Sequence, residues 1–245
     1  AIAVAATLAV AEPSGSGLGG GGFFLLHEAK TGRKVFVDAR EVAPEKAFPD
    51  MYLKPDGELD RDKLRTGPLA AGIPGLAAAL VHLAKTRGEL SLARNLEPAI
   101  RAAKDGFIVD EPMARRLQFR AAELEQFASS KALYFREDRI LKSGEKIRQP
   151  DLARTLTKLA TFGREGFYAG PVADELIRSV TAAGGIWTAR DLNQYRVIER
   201  LPVVINYADW QIVSAPPPSS GGLVLAEIFN MLGILGDKAL RGSSD

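Results

Sequence analysis

The sequence predicts an α+β fold on three observations. Short β-branched or aromatic runs (Phe23 to His27, Lys34 to Asp38, Val203 to Tyr207 and Trp210 to Ser214) lie towards the two ends of the chain. Helical patterns bounded by glycine, proline and capping residues fill the middle. The two kinds of element do not alternate, as a doubly wound parallel sheet would require. No internal repeat or long linker interrupts them, so residues 1–245 are expected to form a single domain. A chain of this length hides roughly 70–75% of its unfolded surface, ample for a core.

Each element has its own justification. The alanine-rich residues 1–11 read as helix, and Glu12-Pro13 ends it. This apolar opening is too short to cross a bilayer, which needs about 20 residues. It also lacks the basic leader of a signal peptide, so it reads as a helix entered part-way along. Six glycines in the eight residues 15–22 exclude helix and ordinary strand. They predict a loop whose dihedrals or close contacts need glycine. Phe23 to His27 is expected to be a buried strand, hairpinned through Lys30-Thr31-Gly32-Arg33 to Lys34–Asp38. Residues 41–74, with Pro44, Pro49, Pro55, Pro68 and Pro74, predict loops and short helices.

Leu76 to Ala84, stopped by Gly88, and Ser91 to Lys104, stopped by Gly106, predict two helices. Asp110-Glu111-Pro112 opens a third with cap, early acid and early proline in order. Its stripe is Met113, Leu117, Ala121, Leu124 and Phe127. Pro150-Asp151 begins another, with Leu152, Leu156 and Leu159 on one face and Gly163 closing it. Gly170-Pro171 begins the next, ended by Gly184-Gly185. Thr188 to Asp191 has capping-box spacing, with aspartate in place of the usual glutamate. After Gln194 the pattern turns period-two, giving the strand pair Val203–Tyr207 and Trp210–Ser214. The run Pro216 to Gly222 is a rigid bend into a last helix, Leu223 to Leu232, and Gly242 to Asp245 is a flexible polar end.

Composition excludes several functions. Lys+Arg is 32 against Asp+Glu 30, a net charge of +2, which argues against both a basic nucleic-acid binder and an acidic disordered chain. The absence of cysteine excludes disulfides, thiolate metal sites and cysteine nucleophiles. With His27 and His82 as the only histidines, no multi-histidine metal site is possible. No metal and no cofactor is expected.

Gly15 to Gly20 matches G-x-G-x-x-G, but here the order is helix, loop, strand. A phosphate would face the wrong end of the helix dipole, so a close backbone crossing is the better reading. His27 and His82 read as packed or capping residues, with no serine partner in view. Ser219-Ser220 before a helix is either an N-cap or an anion site. Glu123 and Glu125 fit a solvated helix face better than a glycosidase pair. Arg115, Arg116 and Arg120 are diluted by acids, without the aromatic interleaving of a nucleic-acid groove. Arg40, just past a strand end, could project its fork into a cleft and hold a carboxylate, or pair on the surface with Asp38 or Glu41.

Seven segments taken together go further. Ala5 to Val10 through Ser16-Gly17-Leu18-Gly19-Gly20-Gly21-Gly22-Phe23, and Asp38-Ala39-Arg40-Glu41-Val42-Ala43-Pro44-Glu45-Lys46-Ala47, are the first two. Ala71 to Gly75, Ala102 to Phe107, Gly166 to Gly170, Gly184-Gly185 with Thr188 to Tyr195, and Pro216 to Gly222 follow in order. Together they resemble the gamma-glutamyltranspeptidase family over about residues 3–233. The resemblance implies a four-layer αββα sandwich of the N-terminal nucleophile hydrolase type, completed by a small subunit cut from the same precursor. It implies that this chain is most of the large subunit, without the family's first segment and the self-cleavage region. It further implies a threonine nucleophile on the small subunit, so no catalytic residue is expected in this chain. Of the substrate contacts, only Arg40 carries over, matching the family arginine that holds the substrate's α-carboxylate. A free α-amino group titrating near pH 7.7–8.0 can serve as the base, which suits a chain so poor in histidine.

The implied partners are the small subunit, a γ-glutamyl donor such as glutathione, and an amino acid, peptide or water acceptor. Neither nucleic acid nor a membrane span is expected. The family implies a periplasmic or secreted protein. Two alternatives remain: an acylase of the same fold acting on glutaryl-type β-lactam side chains, and a non-catalytic binding or structural relative.

Overall fold

The structure, a computed structural model, describes residues 1–240. The expected polar end, Gly242 to Asp245, lies outside the described residues. The chain begins with α1 (Ile2–Ala11), β1 (Gly22–Glu28), β2 (Arg33–Ala39), α2 (Arg61–Arg65), α3 (Leu76–Arg87) and α4 (Leu92–Asp105). Then come β3 (Phe107–Ile108), α5 (Glu111–Phe119), α6 (Ala121–Glu125), α7 (Ala128–Tyr134), β4 (Phe135–Arg136), β5 (Arg139–Ile140) and β6 (Lys146–Ile147). It continues through α8 (Pro150–Phe162), α9 (Glu165–Tyr168), α10 (Gly170–Ala182) and α11 (Ala189–Gln194). It ends with β7 (Ile198–Arg200), β8 (Val203–Tyr207), β9 (Trp210–Ser214) and α12 (Gly221–Leu240). These elements divide into two compact units. The larger comprises residues 1–21 and 40–196, the smaller residues 22–39 and the chain from Val197 onward.

The larger unit is a helical body. Helices α1, α4 and α8 pack together and bury Ala6, Val10, Leu96, Ala99, Ala103, Leu156 and Leu159. The buried Gln149 donates its Nε2–H to the Val10 carbonyl at 2.7 Å, and its own N–H to Ala103 O at 2.8 Å. Those bonds satisfy a polar side chain in the core and fix where α1 ends. The caps behave as the sequence predicts. Ser91 accepts from Arg94 N–H, Asp110 from Met113 N–H, and Thr188 and Asp191 form a complete capping box.

The stripe from Met113 to Phe127 is not one helix. The chain leaves helical geometry at Arg120 (φ −105°, ψ 13°), whose N–H is shared among the carbonyls of Arg116, Leu117 and Gln118. This break lets Ala121 and Leu124 pack on the cluster of Val109, Met113, Leu117, Phe135, Ile140, Leu141 and Ile147, so tertiary packing overrides an uninterrupted helical pattern. Short elements without their own signal complete that cluster. The β4–β5 turn places Glu137 and Asp138 at φ of 49° and 59°, a conformation usually marked by asparagine and glycine. The pairs in β3 and β6 are too short to show a period.

Helices α8 and α9 meet at Gly166, where a Cβ would stand 2.1 Å from the Lys158 carbonyl oxygen. Overpacking against backbone costs about 1–3 kcal/mol or more. Gly166→Ala is therefore expected to lower the apparent melting temperature of the processed protein by about 3–10 °C. Thermal unfolding followed by circular dichroism checks this, and an unchanged melting temperature would show that the two helices can part without cost.

The smaller unit holds an antiparallel sheet in the order β1-β2-β7 and the β8–β9 hairpin. The expected hairpin is present, with Gly22 opposite Ala39 and Glu28 opposite Arg33. The expectation of a buried first strand is corrected: β1 is half-exposed, and Leu25 and His27 face solvent. It is an edge strand, whereas β2 is central and buries Val35 to Ala39. The buried Asp38 accepts from Arg200 Nε at 2.9 Å. Helix α12 begins at Gly221, where Ser219 Oγ accepts the Gly221 N–H at 3.3 Å. Ser219 thus serves as a cap.

Candidate functional site

Arg40 is the first residue after β2 and belongs to the larger unit. Its side chain is exposed, but its backbone lies in a segment pinned at four points. The Tyr195 hydroxyl donates to the Arg40 carbonyl at 2.9 Å. The Glu41 carboxylate accepts the Gly21 N–H at 2.6 Å. Val42 and Ile73 exchange both backbone hydrogen bonds, at 3.3 and 2.8 Å. The Glu45 N–H donates to Asp191 Oδ1 at 2.7 Å.

Local sequence explains each pin. The glycine-rich loop crosses close to other backbone at Gly20, whose carbonyl accepts the N–H groups of Gly75 and Leu76 at 2.9 and 3.0 Å. The start of α3 is thereby occupied by a carbonyl, the close crossing that the order of elements favoured over a phosphate loop. The glycine dihedrals are not left-handed here, and added Cβ atoms at Gly17 and Gly19 would meet nothing within 4 Å among the described residues. Close approach is real at Gly72, where a Cβ would stand 2.9 Å from Glu41 Cβ. A larger residue there would push directly on the segment carrying Arg40.

Asp191 does two jobs. One carboxylate oxygen closes the capping box on Thr188, at 2.8 Å from its N–H and 2.6 Å from its hydroxyl. The other holds the Glu45 N–H. Burial pushes this carboxyl's pKa up, but the Thr188 and Glu45 hydrogen bonds prevail and hold it below the ordinary aspartate value.

His27 lies exposed on β1 and His82 half-buried on α3. Glu123 pairs with Arg120 at 3.5 Å and Glu125 with Lys131 at 2.9 Å, as on a solvated helix face. Arg115 and Arg116 each meet a carboxylate, of Glu111 and Glu12 respectively. Among the described residues no group of three or more acidic or histidine side chains could hold a metal ion. No helix among them is long and apolar enough to cross a membrane. What the arrangement offers chemically is an exposed arginine on a fixed backbone, the residue type whose planar fork suits a carboxylate.

A family model described as gamma-glutamyltranspeptidase matches residues 1–243. The chain belongs to the gamma-glutamyltranspeptidase family. A glutathione hydrolase proenzyme from Pseudomonas sp. (strain A14) is 40% identical over 233 residues, covering 95% of this chain and 40% of that protein. The chain thus spans well under half the length of this curated relative. A crystal structure of Helicobacter pylori gamma-glutamyltranspeptidase superposes with a TM-score of 0.94 at 36% identity, covering 100% of this chain and 70% of that one. A cephalosporin acylase from Bacillus halodurans superposes with a TM-score of 0.80 at 27% identity, covering 90% of this chain and 42% of that one. The α+β class expected from sequence holds, and the fold is that of the gamma-glutamyltranspeptidases, of the N-terminal nucleophile hydrolase type.

Arg40 is visible in the sequence, but the residues that support it are not. Tyr168 and Tyr195 lie inside two of the seven segments, but neither they nor Arg164 show in the sequence that they support Arg40, because those contacts join residues distant in sequence. Asp191 was legible as a cap, but its bond to the Glu45 N–H was not.

Proposed function

We propose that this chain is the large-subunit portion of an enzyme that hydrolyses or transfers the γ-glutamyl group of glutathione and related amides. In this reading a threonine at the start of a small subunit from the same precursor attacks the γ-carbonyl. The amine leaves, and water, an amino acid or a peptide resolves the acyl-enzyme. Arg40 holds the donor's α-carboxylate. The observation carrying the reading is the exposed Arg40 on a backbone fixed at four points, in a chain of this family.

An apolar surface on the smaller unit supports the partner. Leu223, Val224, Met231, Ile234 and Leu235 of α12 are exposed by 47%, 49%, 55%, 85% and 61%. A surface of this kind needs a cover, and the small subunit is the occupant we assign. The acylase neighbour favours a second reading, a glutaryl amidase. A glutaryl group keeps the carboxylate but lacks the α-ammonium, so paired glutaryl and γ-glutamyl anilides separate the two.

Intact-mass analysis and N-terminal sequencing of the protein purified from its full precursor test the proposal. The expected result is two chains, the smaller opening on threonine, that release glutamate from glutathione. A single uncleaved chain without amidase activity would overturn it and leave a non-catalytic relative.

A further inference from the structure

The backbone carbonyl of Arg40 is held by a residue that lies 155 positions away in sequence. Tyr195 follows α11, is 4% exposed, and donates its hydroxyl to that carbonyl. Its ring stacks on Tyr168, with centroids 5.8 Å apart and planes 8° from parallel. Tyr168 is itself locked. Its hydroxyl donates to the Pro74 carbonyl at 2.7 Å and accepts the Ala78 N–H at 3.2 Å. The Arg164 guanidinium lies over the other part of this stack, 4.4 Å from the Tyr168 ring centroid. Arg164 Nη2 also donates to the carbonyls of Leu192 and Asn193, at 3.1 and 2.7 Å, which fixes the chain leading into Tyr195. Two aromatic rings and one guanidinium therefore fix the position of one hydroxyl, and that hydroxyl fixes one carbonyl. Every contact lies within the larger unit.

We propose that Tyr195 is a positioning residue for Arg40, setting where its guanidinium meets the donor's carboxylate, with the Arg164–Tyr168 stack holding Tyr195 in place. This rests on the reading of Arg40 as the carboxylate-binding residue. The physical reason is preorganisation. A long side chain recognises a planar anion well only if its backbone is fixed, since a misplacement of about 1 Å loses the paired geometry. Tyr195→Phe deletes the hydroxyl and keeps the ring in its stack.

The test is a double-mutant cycle in the complete processed enzyme: wild type, Arg40→Ala, Tyr195→Phe and the double variant. KM is read with γ-glutamyl-4-nitroanilide, and kcat/KM with 4-aminobutyryl-4-nitroanilide, which lacks the α-carboxylate. Tyr195→Phe is expected to raise KM for the glutamyl donor about 3- to 10-fold, the effect of one hydrogen bond, with kcat little changed. It should leave the 4-aminobutyryl donor unaffected and add nothing on the Arg40→Ala background. If Arg40→Ala alone leaves KM unchanged, the reading of Arg40 fails and takes this inference with it. If Arg40→Ala raises KM but Tyr195→Phe does not, the inference fails while the reading stands. The same holds if Tyr195→Phe slows both donors alike, or adds in full to the double variant. Tyr195 would then be a purely structural residue.

Discussion

Replacing Arg40 by alanine in the complete processed protein is expected to raise KM for γ-glutamyl donors about 100-fold while lowering kcat far less. The size follows from two charge-assisted bonds lost to one carboxylate, about 2–3 kcal/mol together. The sign of the split follows from where the contact is made. The α-carboxylate is remote from the γ-amide that reacts, so the contact is as strong in the ground state as in the transition state and acts mainly on binding. Arg40→Lys should recover only part of the loss, because an ammonium keeps the charge but not the fork. Steady-state kinetics with γ-glutamyl-4-nitroanilide decides the matter. A KM within twofold of wild type would remove Arg40 from the site and leave it a surface arginine.

The second large effect is expected at Asp191. The residue is 9% exposed, and its two oxygens serve the Glu45 N–H, the Thr188 N–H and the Thr188 hydroxyl. Asp191→Ala strands these donors in a poorly solvated place, at a cost of about 2–4 kcal/mol. The apparent melting temperature should fall by about 5–15 °C. KM for glutamyl donors should rise as well, since one of the four points fixing the Arg40 segment is gone. The pH dependence has a definite sign. Folding lowers this group's pKa, so its ionised form contributes full stability above the ordinary aspartate range, near pH 4. That contribution is lost as pH falls through the lower folded value. The gap between wild type and Asp191→Asn should therefore be constant near neutrality and narrow below about pH 4. Thermal melts of both proteins across this range check it, and a gap that widened in acid would refute the role given to the carboxylate.

Much of this molecule is legible in sequence where the controlling interaction is local. Ser91, Asp110 and Thr188 announce their helices because a cap and the N–H it satisfies lie within three residues. The first hairpin is readable from two short apolar runs and the Lys30-Thr31-Gly32-Arg33 turn between them. The Glu137-Asp138 turn is not, because glutamate is an unusual choice for left-handed backbone and no glycine or asparagine marks the position. The break at Arg120 is not either, because the helical stripe continues through it, and Ala121 and Leu124 pack on a cluster that Phe135, Ile140, Leu141 and Ile147 help to form from further along the chain.

The candidate site divides along the same line. Sequence by itself determined that Arg40 follows a strand, that a glycine-rich crossing precedes it, and that the seven segments fall in one family order. It could not determine what holds Arg40. That was decided by Tyr195, Asp191, Ile73 and Gly21, which reach the segment from four other parts of the chain. A hydrogen bond across many residues leaves no spacing or period in the sequence, since its geometry exists only once the intervening helices have packed.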